Sequence, residues 1–192
     1  MVMGRLLAVF VCAALLGGCL PVTSKTPVGT TTGLGADAAL YGTWKGHDDK
    51  AEEKGAVFVH FMKAKDGSIA AATISALGEP GDGWQIYRLR TATLGASHYI
   101  NAQLTQDNSD TSLKNANFPL LYVLKGRTLS LYILDEDKVK AAIKAGKIKG
   151  TIEPGDSGDA VISEDAAALD AFFAKPQAAA LFKPMLVLKR VE

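Results

Sequence analysis

Cysteine is scarce in this sequence, and both copies lie near its start. Among 192 residues the only cysteines are Cys12 and Cys19. A domain that follows Cys19 can therefore hold no disulfide, no thiol nucleophile and no cysteine metal ligand. The fold of such a domain must rest on its hydrophobic core alone.

A surplus of charge is also lacking. The chain has 21 basic and 20 acidic side chains, a formal net charge of +1. Because a protein that binds nucleic acid through its phosphates needs a strong basic surplus, we expect no nucleic-acid partner. The hydrophobic and charged fractions, 48% and 21%, are ordinary for a globular chain, and the length fits one domain with tails.

Long hydrophobic runs are missing except at the N-terminus. Eleven residues without a polar side chain, Leu6 to Leu16, follow the single basic residue Arg5. As a helix this run would be about 16 Å long, roughly half the hydrocarbon core of a bilayer, so a retained membrane span is not expected. A basic start, a short apolar run and small residues after it predict an export signal over residues 1–18 rather than a buried helix.

The residues that end this run form a recognisable motif. Leu16-Gly17-Gly18-Cys19 resembles the lipobox of bacterial lipoproteins. The resemblance implies that the Cys19 sulfur carries a diacylglycerol, that the signal is cut before it, and that the new amine is acylated. Leu20 follows the cysteine, which is similar to lipoproteins sent to the outer membrane. The expected location is therefore the cell envelope, with the membrane as a partner through Cys19.

The composition changes after the motif. Residues 19–36 are rich in Pro, Thr, Ser and Gly, show no hydrophobic periodicity and contain no aromatic residue. This composition predicts a flexible tether. We therefore expect a single folded domain over residues 37–192.

Most of that domain has the pattern of β-strands. Short segments rich in apolar and β-branched residues alternate with turn signals such as Lys65-Asp66-Gly67 and Lys125-Gly126-Arg127. Strands are predicted within residues 57–62, 69–77, 84–94, 99–104, 118–124, 128–134, 148–153, 159–162 and 185–191. The pattern predicts a mainly β, α+β fold, an antiparallel meander curled into a barrel or half-barrel.

Two helices are predicted near the C-terminus. Asp135 can cap the first, which Gly146 would end. Ser163 can cap the second, with Leu169, Phe172 and Phe173 on its buried face. A short helical turn is expected after Asp37 and another after Pro176.

The start of the predicted sheet resembles a known family. The expected turn is followed by Gly42-Thr43-Trp44, which resembles the opening of the lipocalin, or calycin, barrel. The resemblance implies that Trp44 closes one end of the barrel against a basic residue of the last strand, a part that Arg190 could play. The later Thr-Asp-Tyr motif of that family is absent.

Motifs for catalysis and metal binding are weak. Gly155-Asp156-Ser157-Gly158 resembles the nucleophile segment of serine proteases, but the required histidine base and its partners have no matching segments. The histidines His47, His60 and His98 are scattered, and Asp107-Asn108-Ser109-Asp110 lacks the glycine and distal glutamate of a calcium loop. We predict no enzyme, no metal site and no cofactor.

Two basic features have both a functional and a structural interpretation. Arg88 and Arg90 share one strand face and could bind an anion, although a solvent-exposed face is favoured. A series of lysines could contact an anionic membrane, although several lie where a helix C-terminus favours lysine. The series comprises Lys138, Lys140, Lys144, Lys147 and Lys149.

Two functions therefore stay open. In the first, the barrel binds a small apolar or amphipathic ligand. The expected lining residues are Val57, Val59, Phe61, Tyr87, Leu89, Tyr122 and Leu131. In the second, the interior is filled and the surface serves a structural or protein-interaction role in the envelope. An internal cavity of at least about 300 Å³ would favour the first function.

Overall fold

A computed structural model describes residues 22–47, 56–76, 83–107, 116–153 and 159–191. The strands are β1 (Val22–Ser24), β2 (Gly42–His47), β3 (Ala56–Lys63), β4 (Ile69–Ala76), β5 (Trp84–Leu94), β6 (Ser97–Asp107), β7 (Asn117–Lys125), β8 (Thr128–Leu134), β9 (Gly150–Ile152), β10 (Ala160–Ile162) and β11 (Phe182–Arg190). The α-helices are α1 (Glu136–Lys144) and α2 (Ala166–Phe173), and 3₁₀ helices lie at Ala38–Leu40 and Pro176–Leu181.

Eight of these strands close into an antiparallel barrel. Their order is β2-β3-β4-β5-β6-β7-β8-β11, and pairing of β11 with β2 and of β6 with β7 completes the circle. The predicted mainly β fold is confirmed, and the sheet is a closed, calycin-like barrel rather than a half-barrel. Closure leaves no barrel strand with a long free edge on which other chains could pair.

Side chains alternate between the interior and the exterior of the barrel, because successive residues of a strand point to opposite faces. In β3, Val57, Val59 and Phe61 are buried and the residues between them are not. The predicted turns at Gly67 and Gly126 are present. Both glycines have positive φ angles, 77° and 57°, which other residues rarely adopt.

The two ends of the barrel differ. At the turn end, short links join β3 to β4, β5 to β6 and β7 to β8, and the 3₁₀ helix Ala38–Leu40 precedes β2. At the loop end, the longer links 48–55, 77–82 and 108–115 fall outside the described residues. The insertion between β8 and β11 leaves and rejoins the barrel at the loop end, where Leu134 pairs with Phe182.

The insertion forms a second layer on the outer wall of the barrel. Strand β1 pairs with the start of β7 and, in parallel, with β10, and β9 completes this small extension. Helices α1 and α2 bury their apolar side chains in a second core beneath the layer. There the Tyr99 ring of β6 meets Phe173 edge to face, with centroids 5.5 Å apart, and its hydroxyl donates to the Phe173 carbonyl.

One helix start agrees with the sequence and the other does not. Asp135 caps α1 as predicted, and Gly146 follows its end with a φ of 66°. The predicted cap of α2 at Ser163 is wrong, because the side chain of Asp165 accepts the Ala168 N–H at 3.0 Å. Ser163 instead follows the end of β10, and its N–H donates to the Lys149 carbonyl.

The predicted tether is wrong for residues 22–36, which pack against the domain. Asn101 accepts the Val28 N–H and donates to the Val28 carbonyl, both at 2.7 Å. Asp170 accepts the N–H groups of Gly29 and Thr31 at 2.6 and 2.8 Å. Distant polar side chains thus bind this backbone, which composition alone does not reveal.

The N-terminal features cannot be placed in this fold. The signal, the lipobox and Cys19 all lie outside the described residues. Within the described ranges, every helix is too short or too polar to cross a bilayer.

Candidate functional site

The turn end of the barrel is closed by Trp44 and Arg190. Trp44 is fully buried, and its Nε1 donates to the Leu40 carbonyl at 2.7 Å. The Arg190 guanidinium lies 4.3 Å from the centroid of the Trp44 ring, and the two residues are paired across β2 and β11. Arg190 also donates to the carbonyls of Tyr41 and Ala39, which bind it to the 3₁₀ helix. This is the contact that the lipocalin resemblance implies.

A tyrosine–aspartate pair lies at the same end. The Tyr122 hydroxyl donates to Asp37 Oδ2 at 2.8 Å, and the other carboxylate oxygen accepts the Ala39 N–H at 2.9 Å. The Asp37 N–H donates to Thr91 Oγ1 at 3.0 Å. Burial raises the pKa of Tyr122 above its ordinary value, and the hydrogen bond and charge of Asp37 raise it further. Tyr122 therefore stays protonated and binds the segment before β2 to the barrel.

The barrel interior contains a cavity of about 60 Å³. Seven of the eight barrel strands contribute to its wall, and none of the lining residues is charged. The lining residues are Val59, Phe61, Ala71, Thr73, Tyr87, Leu89, Ile100, Ala102, Phe118, Leu120, Leu131, Met185 and Leu186. An apolar wall of this kind excludes water and favours hydrocarbon.

Most, but not all, of the predicted lining residues reach this cavity. Val59, Phe61, Tyr87, Leu89 and Leu131 are in its wall. The two other predicted lining residues are buried in the core without lining the cavity. Tyr122 is held by Asp37 at the turn end. Val57 is the next inward-facing residue of β3 after Val59 in the direction of the loop end.

The cavity is much smaller than the volume that would favour a whole ligand. At about 60 Å³ it is a fifth of the roughly 300 Å³ at which ligand pockets begin. A register shift in β11 between Pro184 and Leu186 lets the adjacent residues Met185 and Leu186 both line it. Met185 is flexible, so this side of the wall can adapt its shape at low cost.

Polar groups lie at one part of the interior, toward the loop end. Gln85 is only 2% exposed and accepts the Tyr87 hydroxyl on Oε1 at 2.6 Å. Thr73 faces the cavity and its hydroxyl lies 3.4 Å from the Gln85 carbonyl. Sequence reasoning missed Gln85, although it shares the inward alternation of Tyr87 and Leu89.

The other sequence candidates point outward. Arg88 is exposed and its Nε lies 3.4 Å from Asp66 Oδ2, while Arg90 lies on the same outer face. Hydrogen bonds from Ser68 lower the pKa of Asp66, so its carboxylate remains charged beside Arg88. His60 is exposed, with Nδ1 2.8 Å from Thr43 Oγ1.

His98 lies apart from the other histidines. It is exposed at the turn end, with its ring centroid 5.5 Å from that of Tyr122. The described residues hold no group of three or more His, Cys, Asp or Glu side chains able to bind a metal.

The lysine series lies on the surface of the helical layer. Lys140 and Lys149 form ion pairs with Glu136 and Glu164, and Lys138 donates to a carbonyl. Several remaining candidates lie outside the described residues. These are Ser157 with its flanking segment, residues 108–110, and the side chains of His47 and Asp107.

The strand order and the closure of the sheet define the class of this protein. It is an eight-stranded, calycin-like barrel, a fold compatible with ligand binding. In comparisons with known proteins, no family model, no curated protein and no solved structure matches the chain. The class therefore rests on the topology of the barrel.

Proposed function

We propose that this chain is an exported, lipid-anchored envelope protein whose barrel binds a small apolar or amphipathic ligand. The observation that carries the ligand proposal is the uncharged cavity, to which seven of the eight strands contribute. The motif around Cys19 supports the anchor. A domain attached to a membrane lies close to a supply of lipids, whose alkyl chains are the groups that such a cavity favours.

The size of the cavity limits the ligand. At about 30 Å³ for each water of the liquid, its volume corresponds to about two water molecules, although its wall offers them few hydrogen-bonding partners. It therefore suits the end of an alkyl chain or a small ring, each methylene contributing about 0.8 kcal/mol on burial. Gln85 and Thr73 lie where an uncharged polar end of such a ligand could accept or donate a hydrogen bond.

Neighbouring alanines of β4 provide a matched test. Ala71 lines the cavity, whereas Ala72 lies on the outer face of the same strand. Ala71→Leu should fill the cavity, and Ala72→Leu adds the same atoms outside it. The full chain would be extracted from its own membranes and examined by native mass spectrometry for bound small molecules. A second measurement would follow methyl NMR shifts of Ile100 and Leu131 under xenon pressure.

The two variants separate binding from folding. We expect a ligand adduct and xenon-dependent shifts in the unmodified protein and in Ala72→Leu, and a loss of both in Ala71→Leu. Thermal unfolding would show that each variant is folded. Ligand binding in the barrel would be contradicted if the parent chain showed neither an adduct nor a xenon response. It would also be contradicted if Ala71→Leu kept both.

The anchor has its own test. Replacing Cys19 by Ser removes the sulfur that the lipid requires. We expect the variant to leave the membrane fraction. Metabolic labelling with palmitate should mark only the chain that retains Cys19. A Cys19→Ser protein that still fractionates with membranes would contradict lipid anchoring without affecting the cavity proposal.

A second function is favoured by the small volume of the cavity. If the barrel interior serves only as a packed core, the chain acts through its surface, as a structural or interaction protein of the envelope. The same mass spectra distinguish the two, because a packed core predicts no small-molecule adduct in any variant.

A further inference from the structure

One row of side chains crosses the outer face of five adjacent barrel strands. In cross-strand register it runs Lys189, Lys45, Phe58, Ile74 and Trp84, from β11 through β2, β3 and β4 to β5. We call these five residues the outer row. With neighbouring strands about 4.8 Å apart, the row is about 19 Å long. Two cations lie at one end and three large apolar side chains follow.

The apolar part of the outer row is exposed to solvent. Ile74 is 55% exposed and Trp84 is 45% exposed. Met62 and Val187, also exposed, lie on the same side of the barrel. The helical layer covers the opposite wall of the barrel. Apart from Val191, the large hydrophobic residues of the described chain that are strongly exposed therefore lie on the side of the outer row. Concentrated exposure of this kind marks an interaction surface.

The charged part of the outer row has no compensation in the described structure. Lys45 and Lys189 are direct cross-strand neighbours, and like charges in that position oppose folding. No described carboxylate lies within ion-pair distance of either lysine. The Lys45 Nζ lies 5.5 Å from the centroid of the Phe58 ring, which holds the cation beside the apolar part.

The strand positions around the row are basic, although Arg88 is paired with Asp66 of the turn between β3 and β4. Described outward positions of β2 to β5 and β11 hold Arg88 and Arg90 besides the two lysines, and no acidic side chain. A second copy of the chain would bring basic groups against basic groups. A partner with carboxylates beside apolar side chains fits both parts of the row.

The position of the outer row bears on which partner can reach it. Strand β1 joins the barrel at β7, next to β8, and in the closed order of eight strands this lies opposite β3 and β4. Residues 19–21 can span at most about 10 Å before Val22. A chain anchored at Cys19, as proposed above, would then present the outer row away from its own membrane.

We propose that the outer row is the docking surface for a protein partner that presents carboxylates next to apolar side chains. The apolar residues would supply burial and the two lysines the orientation of the partner. This inference is independent of ligand binding inside the barrel, because the outer row and the cavity lie on opposite faces of the same wall.

The test is site-specific photo-cross-linking of the full chain in its own envelope. A photoreactive amino acid would replace Ile74 in the outer row and, as a control, exposed Ala167 of α2 on the other side of the barrel. The Ile74 probe would be combined with Lys45→Glu and Lys189→Glu, and separately with arginine at both positions. Adducts would be digested and the cross-linked peptide sequenced.

We expect one discrete protein adduct at position 74 and none at position 167, with an acidic cross-linked segment. Glutamate at positions 45 and 189 should lower its yield at least tenfold, whereas arginine should preserve it. The proposal is overturned by adducts with lipid only, with a second copy of this chain, equally at both probe positions, or not at all. A yield that is unchanged by charge reversal in folded protein would overturn it as well.

Discussion

Asn101 offers the sharpest test of how the N-terminal segment is held. Its amide makes two hydrogen bonds of 2.7 Å to Val28, one to the N–H and one from the side-chain nitrogen to the carbonyl. Val28 and Asn101 are both buried, at 0% and 3% exposure. Asn101→Ala would leave two backbone groups without partners, at about 1–3 kcal/mol each, or about 2–6 kcal/mol together.

The segment can avoid that cost by leaving the barrel wall. The free energy needed to detach the segment is then the upper limit of the stability lost in Asn101→Ala. The three hydrogen bonds of Asp170 to Gly29 and Thr31 oppose this detachment. A fall of about 2 kcal/mol in the opening free energy speeds amide exchange about 30-fold. We therefore expect Asn101→Ala to accelerate exchange in residues 26–32 by at least this factor.

Hydrogen–deuterium exchange read by mass spectrometry measures the effect peptide by peptide. Thr105→Ala is the control, because Thr105 lies on the same face of β6 and its hydroxyl donates to the Ile86 carbonyl of β5 rather than to the N-terminal segment. Exchange of residues 26–32 should change little in that variant. If Asn101→Ala left this exchange unchanged in a folded protein, or accelerated the whole barrel equally, the anchoring argument would be refuted.

Three further changes probe the turn end and the cavity. Arg190→Met removes a cation–π contact and two hydrogen bonds, so it should lower the free energy of unfolding by about 2–3 kcal/mol. Unfolding in urea measures this loss. Lys189→Met, at an exposed position of the same strand, is the control and should lower the free energy of unfolding far less. The pKa of Tyr122 is raised in the folded state. Its contribution to the free energy of unfolding is therefore present below the ordinary tyrosine pKa of about 10 and is lost as pH rises beyond that value. Stability should therefore fall less steeply above pH 10 in Tyr122→Phe, and equal slopes would contradict the assignment. Met185→Ala should cost about 2–5 kcal/mol and enlarge the cavity enough to strengthen the xenon-induced methyl shifts, and weaker shifts would argue against its place in the wall.

The barrel could be predicted because its signals are local. Alternation in β3 and β5 and the glycine turns at Gly67 and Gly126 depend on residues close in sequence. The pairing of Trp44 with Arg190 was predictable only through resemblance, since 145 residues separate the two positions along the chain (190 − 44 − 1). Pattern alone gives no reason to prefer that arginine over another.

The parts that the sequence did not predict depend on distant polar contacts. Residues 22–36 have a linker's composition, yet side chains of Asn101, Asn117 and Asp170, from three other elements, bind their backbone. Pairing of β1 with β10 and the bridge between Gly35 and Thr91 add to this attachment. The volume of the cavity depends on a register shift in β11, which turns two consecutive side chains inward. Such a shift has no signature in hydrophobic alternation, because it interrupts that alternation.

The same strands supply both proposed surfaces, which limits how they can influence each other. In β3, Phe58 belongs to the outer row, whereas the next residue, Val59, lines the cavity. Each barrel strand is hydrogen-bonded on both sides, so a ligand can displace the outer side chains only by moving paired backbone. A cavity of about 60 Å³ with flexible Met185 in its wall can accept a small ligand through side-chain movement alone. Occupancy of the interior should therefore leave the outer row in place, and an internal ligand and an external partner can be bound independently.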